Sequence, residues 1–197
     1  MKEMVRMVLV IAILASFSGG LLASLKNGTK DKIEMQQLKF VKGPAIESIM
    51  NGCSNNPIKD RFKLKLDDKD ISVFPGVFDG KANVVAFEAV GKGFGGDIGV
   101  MVGVDITTDK LVSIGVTTHS ETPELGSKAK TDPSFPAQFK GVSILEPVKV
   151  KSNGGSIDAL TGATVTSAGV CGAVTAAGET YQRLKDKIAE KAKSFAK

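Results

Sequence analysis

The sequence predicts an α+β fold in which helices flank an antiparallel sheet, preceded by one N-terminal transmembrane helix. Three observations predict it: an uncharged apolar run near the N-terminus, a series of strand-like segments joined by turn residues, and helical periodicity towards the C-terminus. Strands that follow one another through tight turns pair antiparallel. Helices confined to the two ends of such a series indicate the α+β class rather than a doubly wound parallel sheet.

The apolar run covers residues 7–25 (MVLVIAILASFSGGLLASL), with Lys2 and Arg6 before it and Lys26 after it. At 1.5 Å per residue, a helix of this length just spans a hydrocarbon core of ~30 Å. A cleaved signal peptide is the alternative, but the run is long for one and its end lacks a good small-x-small cleavage pattern. We therefore expect a retained anchor. Its flanking charges predict orientation only weakly, because a long domain translocates largely regardless of them.

The chain is expected to divide into four parts: a short N-terminal segment (1–6), the transmembrane helix (7–25), a linker with a helical segment (26–60), and one domain ending in a C-terminal helix (61–197). The linker begins with a polar spacer at residues 27–32. An amphipathic segment at 33–50 follows and is interrupted by Gly43-Pro44.

Six segments of the domain are predicted to be strands: residues 62–66, 71–78, 83–90, 98–105, 111–118 and 143–150. Asp79-Gly80 and residues 107–110 mark two hairpin turns. The glycine-rich GKGFGG at residues 91–96 lacks the Lys-Ser/Thr of a P-loop and leads into a strand. It therefore predicts a connection between strands rather than a phosphate-binding loop.

The C-terminal stretch from Ala168 onwards predicts a helix. Its apolar side chains recur on one face at helical spacing, with Lys and Glu elsewhere, at Tyr181, Leu184, Ile188, Ala192 and Phe195. The segment from Arg183 holds six Lys/Arg and two acidic residues, and so carries +4 of the formal net charge of +5. The rest of the chain is nearly balanced and shows no basic stripe with aromatics. Nucleic-acid binding is therefore not expected.

The few cysteines and histidines limit the cofactors that the chain could hold. Cys53, Cys171 and His119 are the only residues of these two types, too few for a four-Cys iron–sulfur cluster and without the C-x-x-C-H motif of haem attachment. Zinc would need carboxylate ligands in addition. Cys53 and Cys171 either form a disulfide or are two buried thiols. No metal is expected, and any redox cofactor should be organic.

Residues 158–167 (DALTGATVTS) place three threonines and a serine just before the C-terminal helix. One interpretation is structural: Thr164, Thr166 or Ser167 caps the helix, and Gly162 forms a tight turn. The same position also suits an anion, because the start of a helix offers free N–H groups and the positive end of its dipole. A hydroxyl there would lie where a phosphate docks.

This motif resembles the D-x-x-(S/T)-G-A-T motif of the covalent-FMN-binding domain family. Residues 119–128 (HSETPELGSK) are similar to the H-x-E-T-P-G-L-G-x-K segment of the same family. Residues 96–105 and 135–141 also resemble family stretches, in the family's order. Glu124 stands where the family more often has Gly, so that it would be strained if the backbone there needs a positive φ.

The resemblance implies one FMN per chain, joined to Thr164 by a phosphoester bond that a separate flavin transferase makes from FAD. It implies a phosphate side formed by Asp158, Thr161, Gly162, Ala163, Val165, Thr166 and Ser167. It implies a wall around the isoalloxazine formed by His119, Glu121, Thr122, Leu125, Gly126 and Lys128. Structural alternatives remain open for four of these residues: Asp158 only caps the turn, His119 and Glu121 only orient their loop, and Lys128 faces solvent.

One transmembrane helix followed by one flavin domain resembles the G subunit of Rnf-type complexes, which couple ferredoxin and NAD to ion pumping. This implies an electron carrier without a substrate of its own, the other membrane subunits as partners, and a flavin domain on the extracytoplasmic side of the cell membrane. The alternatives are the C subunit of a sodium-pumping NADH:quinone oxidoreductase, a stand-alone anchored flavin domain, and a non-redox binding or assembly module in which TGAT is only a helix cap.

Overall fold

The computed structural model describes residues 1–67 and 69–195, apart from the side chain of Asp31. These residues form two compact units, Met1–Phe40 and a second one that begins at Val41. The first unit is dominated by helix α1 (Lys2–Gln36), which continues through the residues predicted as a polar spacer. Its stretch Lys2–Lys30 is long and apolar enough to cross a membrane. A π-helical turn (Gln37–Lys42) follows α1.

The second unit is built on a five-stranded antiparallel sheet. Its strands are β1 (Phe62–Leu66), β2 (Lys69–Phe78), β3 (Lys81–Lys92), β4 (Asp97–Asp105) and β5 (Lys110–Thr118). They lie side by side in sequence order, and each pair of neighbours is antiparallel. Asp79 and Gly80 both have positive φ in the β2–β3 turn, as a two-residue hairpin loop requires. The predicted fold class and both predicted hairpins are confirmed.

Helices cover both faces of the sheet. The long helix α5 (Thr164–Lys193) packs on one face, where its buried side chains join those of the strands in one core that includes Phe87, Val102 and Tyr181. The short helix α2 (Gly43–Ile49) packs on the other face, where Ile49 lies against Gly103. Gly43 and Pro44 do not interrupt a longer helical segment but form the first turn of α2, a position that tolerates proline.

The prediction of a strand over residues 143–150 is wrong. Only single bridges occur there, between Ser143 and Lys110 and between Val150 and Ile157. Pro147 has no N–H to donate to a ladder. The Thr175 hydroxyl of α5 accepts a hydrogen bond from the Val148 N–H and donates one to the Val148 carbonyl oxygen. The backbone of this segment is thus satisfied by the helix and by short turns instead of by a strand.

Three short helical pieces complete the domain between β5 and α5: α3 (Lys128–Thr131), α4 (Ser134–Ala137) and a 3₁₀ turn at Lys151–Asn153. A polar contact then fixes α5 to the β4–β5 turn. The buried Tyr181 donates from its hydroxyl to Asp109 at 2.7 Å, and the Lys185 ammonium pairs with the other carboxylate oxygen at 2.6 Å. Burial and the nearby Asp109 raise the pKa of the Tyr181 hydroxyl well above its usual value.

Candidate functional site

The start of α5 is shaped by a tight turn over residues 160–163. The Ala163 N–H donates to the Leu160 carbonyl oxygen at 2.9 Å, and Gly162, in the third position of the turn, has a φ of +77°. Turns with positive φ at that position favour glycine. The helix then begins at Thr164, four residues earlier than the Ala168 predicted from periodicity.

The hydroxyl groups of the motif do not cap the helix, so the capping interpretation is wrong. Ala163 occupies the N-cap position, and no side chain makes a capping hydrogen bond. The buried Ser167 hydroxyl instead accepts from the Leu160 N–H and donates to the Ala163 carbonyl oxygen, both at 2.9 Å. It therefore fastens the turn. The N–H groups of the first helical turn keep no side-chain cap, and the positive end of the helix dipole is available to an anion.

A cavity of about 430 Å³ opens beside this helix start. Three segments of the chain line it: Phe94 from the β3–β4 turn; Glu121, Thr122, Leu125 and Gly126 from the segment after β5; and Gly162, Ala163, Thr164, Val165 and Thr166 from the attachment motif. Its volume lies within the range of small-molecule sites. Three apolar side chains of the lining are largely exposed, namely Phe94 (75%), Val165 (54%) and Leu125 (45%).

Glu121 joins the three lining segments. Its carboxylate is almost fully buried and accepts hydrogen bonds from the Gly95 N–H, at 2.8 Å, and from the Thr166 hydroxyl of α5. Burial by itself would raise the pKa of this carboxyl. The hydrogen bonds from Thr166 and from the N–H groups of Gly95 and Phe94, together with nearby His119, outweigh burial and hold the pKa below its usual value. The site thus contains a buried, ionised carboxylate.

Nine of the predicted site residues line the cavity, and five lie outside the lining. Of these five, Ser167 lies beneath the turn, and Thr161 and Lys128 are exposed at the surface. His119 accepts the Glu121 N–H on Nδ1 at 3.3 Å, which orients the loop. The Asp158 carboxylate pairs with Lys151 at 2.7 Å and does not cap the turn.

Gln138 holds the segment that leads into the turn. Its side-chain oxygen accepts the Asp158 N–H at 2.7 Å, and its side-chain nitrogen donates to the Asp158 carbonyl oxygen at 3.3 Å. The Lys151–Asp158 ion pair fixes the same residue from the other side. These contacts place the backbone ahead of Thr164.

Two features of the site concern residues that the sequence identifies incompletely. Phe94 is missed by sequence reasoning; its signal is a single aromatic residue inside the glycine-rich GKGFGG, a pattern that predicts only a strand connection. Glu124 does have a positive φ of 59°, so the strain that a non-glycine residue would bear there is present. Its N–H donates to the Ser127 hydroxyl at 2.8 Å.

This arrangement suits a ligand with an anionic end and a large apolar end. Thr164 is exposed at an uncapped helix start, where a phosphate is stabilised by free N–H groups. The apolar rim beside it would cover a planar ring system. The residues present therefore fit FMN, whose phosphate and isoalloxazine have these two characters. Among the described residues, no group of His, Cys, Asp and Glu could hold a metal ion.

Comparison with known proteins agrees with this geometry. Residues 93–179 match the FMN-binding domain family. The G subunit of the ion-translocating oxidoreductase complex of Vibrio vulnificus is 31% identical over 177 residues, covering 84% of this chain and 83% of that protein. The G subunit of the proton-translocating ferredoxin:NAD(+) oxidoreductase complex of Clostridium ljungdahlii is 45% identical over 94 residues, covering 46% and 49% of the two chains.

A solved structure shows the same fold. The crystal structure of Shewanella oneidensis NqrC aligns with a TM-score of 0.54 at 26% sequence identity, covering 72% of this chain and 74% of that one. The fold, the apolar N-terminal helix and the extent of the match to the Vibrio protein lead to one conclusion. The chain belongs to the family of G subunits of ion-translocating oxidoreductase complexes, and its second unit contains an FMN-binding domain.

Proposed function

We propose that this protein is a membrane-anchored electron carrier that holds one FMN covalently on Thr164, as the G subunit of an Rnf-type ferredoxin:NAD oxidoreductase complex. One observation supports the attachment above all others. The Thr164 side chain is exposed at an uncapped helix start, on the edge of a cavity with an apolar rim. The neighbouring hydroxyls of Thr166 and Ser167 are buried and already engaged in hydrogen bonds.

The attachment needs a separate flavin transferase. A threonine hydroxyl is a weak nucleophile without an adjacent base. The carboxylate that lines the cavity, Glu121, is already engaged by Thr166. In the transfer, the bond between Thr164 Oγ1 and phosphorus forms and the pyrophosphate bond of FAD breaks. AMP leaves, and the hydroxyl proton passes to a base of the transferase.

FMN would supply the redox chemistry, accepting and releasing electrons, while the chain supplies position and electrostatics. The first turn of α5 would stabilise the phosphate through its N–H groups and dipole. Phe94, Leu125 and Val165 would limit the access of water to the ring. The Glu121 carboxylate would set a negative charge at the wall and hold the β3–β4 turn against α5. The chain itself would bind no further substrate.

The partners and the location follow from the family. Homologues are named as subunits of ion-translocating complexes, and one is named for a ferredoxin:NAD(+) oxidoreductase. We place α1 in the cell membrane and the flavin domain on the extracytoplasmic side, where a lost flavin could not readily be replaced. The match to NqrC keeps a sodium-pumping NADH:quinone oxidoreductase as the second candidate. The long alignment with the Vibrio vulnificus G subunit favours the first.

Flavin fluorescence in denaturing gels, together with intact mass, tests the attachment. The full chain is co-expressed in membranes with a flavin transferase as wild type, Thr164→Ala and Thr161→Ala. Thr161 is a matched control, because it is also an exposed threonine of the motif. We expect one FMN per chain in wild type and Thr161→Ala, and none in Thr164→Ala.

Flavin on Thr164→Ala would contradict the assignment of the acceptor. A folded, membrane-inserted wild type without covalent flavin would overturn the proposal as a whole. Circular dichroism of the purified proteins shows whether the three chains are equally folded, so that a failure of folding is not mistaken for a failure of attachment.

A further inference from the structure

The β3–β4 turn holds a large apolar side chain in water. Phe94 is 75% exposed, although a phenylalanine gains free energy by leaving water. The turn that carries it is well fixed. The Gly93 N–H donates to the Gly96 carbonyl oxygen at 2.8 Å, and the Gly95 N–H donates to the Glu121 carboxylate at 2.8 Å. The exposure of Phe94 is thus a feature of a defined turn.

The position of this turn is set relative to the attachment residue. Glu121 also accepts the hydroxyl hydrogen bond of Thr166, which lies two residues after Thr164 in the first turn of α5. A Cβ built on Gly95 would collide with the Ser120 carbonyl oxygen, so the turn lies directly on the segment after β5. Phe94 and Thr164 consequently line one cavity from two parts of the same hydrogen-bonded unit.

The cavity rim has the character of a surface that a ring covers. Phe94, Leu125 and Val165 are the exposed large apolar side chains of the lining, and they come from three different segments. A planar aromatic ring gains from offset stacking or edge-to-face contact with a phenylalanine as well as from leaving water. A group tethered at Thr164 would reach this rim without having to bind from solution.

We propose that Phe94 is a positioning residue that lies against the isoalloxazine of the FMN on Thr164 and shields one side of it from water. This inference rests on the proposed attachment of FMN. It gives the β3–β4 turn a function that neither its glycines nor its match to the family assigns. Phe94 is held in place by the hydrogen bonds of Gly95 and Thr166 to Glu121.

Flavin emission tests the contact, because an indole ring in contact with an excited flavin quenches it by electron transfer. The chain has no Trp, and its one Tyr is the buried Tyr181. Each variant is first shown by intact mass to carry one FMN per chain. In Phe94→Trp, emission per bound FMN should fall severalfold. In Phe94→Ala, the iodide quenching constant should rise about twofold, because a pocket that loses one wall exposes that share of its ligand.

Val90→Trp is the matched control on the same strand pair. Val90 is 54% exposed, and it precedes Gly91, which faces α5, so that its side chain lies on the other face of the sheet. Its emission should equal that of wild type. Fully loaded Phe94→Trp with wild-type emission, or loaded Phe94→Ala with unchanged iodide quenching, would overturn the inference alone. Absence of FMN from wild type would overturn the proposed function instead.

Discussion

The Glu121 carboxylate stabilises the fold and shapes the site through the same two hydrogen bonds, to Gly95 and Thr166. In Glu121→Gln, one carboxylate oxygen becomes an NH₂ group that faces a donor. We expect a loss of about 1–3 kcal/mol in the free energy of unfolding at pH 7, the range for hydrogen bonds to charged groups. Urea denaturation of wild type and Glu121→Gln measures this, with exposed Glu124→Gln as the control.

The destabilisation should also depend on pH. The pKa of Glu121 is lower in the folded chain than its usual value, which the unfolded chain keeps. The stabilisation is therefore complete above the unfolded value of about 4.3 and is lost as the pH falls through the folded value. We expect the difference between wild type and Glu121→Gln to shrink at acid pH. An equal difference at pH 7 and pH 3 would show that the carboxylate's charge contributes nothing.

Glu124 tests the strain at a single backbone position. Its φ of 59° is in the left-handed region, where a Cβ costs energy and glycine does not. Glu124→Gly should be about 1 kcal/mol more stable to unfolding than Glu124→Ala, which removes the same charge but keeps the Cβ. Equal stability of the two variants would mean that the backbone relaxes without cost.

Single residues show where sequence reasoning succeeds and where it stops. The two motifs identify the candidate acceptor Thr164 and eight of the other nine residues that line the cavity. They cannot show which hydroxyl is already engaged, because the partners of Thr166 and Ser167 are Glu121, far away in the chain, and the turn itself. Phe94 is missed because an aromatic residue between glycines has no local pattern that separates a turn from a cavity wall.

At the scale of elements, α5 and β3 approach each other closely enough to exclude a side chain. A Cβ built on Gly91 would collide with the Gly169 carbonyl oxygen and lie 2.8 Å from the Ala173 nitrogen. Gly91→Ala should therefore destabilise the domain by about 1–3 kcal/mol, as overpacking does. It should also move the helix start that carries Thr164. Thermal or urea unfolding measures the first effect, and the yield of covalent flavin measures the second.

Gly172 provides the control within the same helix. It is exposed, and a Cβ built on it would meet nothing within 4 Å. Gly172→Ala should stabilise the domain by about 0.5–1 kcal/mol, because alanine loses less backbone entropy in a helix. If Gly91→Ala were as stable as Gly172→Ala, the close packing of α5 on β3 would not limit the domain.

The elements that the sequence predicts well are those with strong local patterns. The five sheet strands and their hairpins follow from alternation and from turn residues such as Asp79-Gly80. The expected strand at 143–150 fails because Val148 finds its hydrogen-bond partner on α5, which no local pattern contains. Periodicity places the start of α5 late because Thr164 and Thr166 have modest helix propensity and suggest caps.

At the scale of the whole molecule, the proposed topology makes a prediction about the two sides of the membrane. With α1 spanning the membrane and the flavin domain outside the cytoplasm, a C-terminal alkaline phosphatase fusion should be active in intact cells. A C-terminal green fluorescent protein fusion should be dark. The reverse pattern would place the domain in the cytoplasm. Fusions to a variant lacking residues 2–30 should lose this pattern, because that stretch is the candidate membrane span that would direct export.

The attachment of FMN to Thr164 is the central claim, and tandem mass spectrometry of one peptide tests it most directly. Trypsin cleavage after Lys151 and Arg183 releases residues 152–183, which contain every hydroxyl of the motif. From chains matured with a flavin transferase, we predict one added FMN less one water, and fragment ions that assign it to Thr164. Assignment to Thr161, Thr166 or Ser167, or an unmodified peptide from correctly inserted protein, would contradict the account.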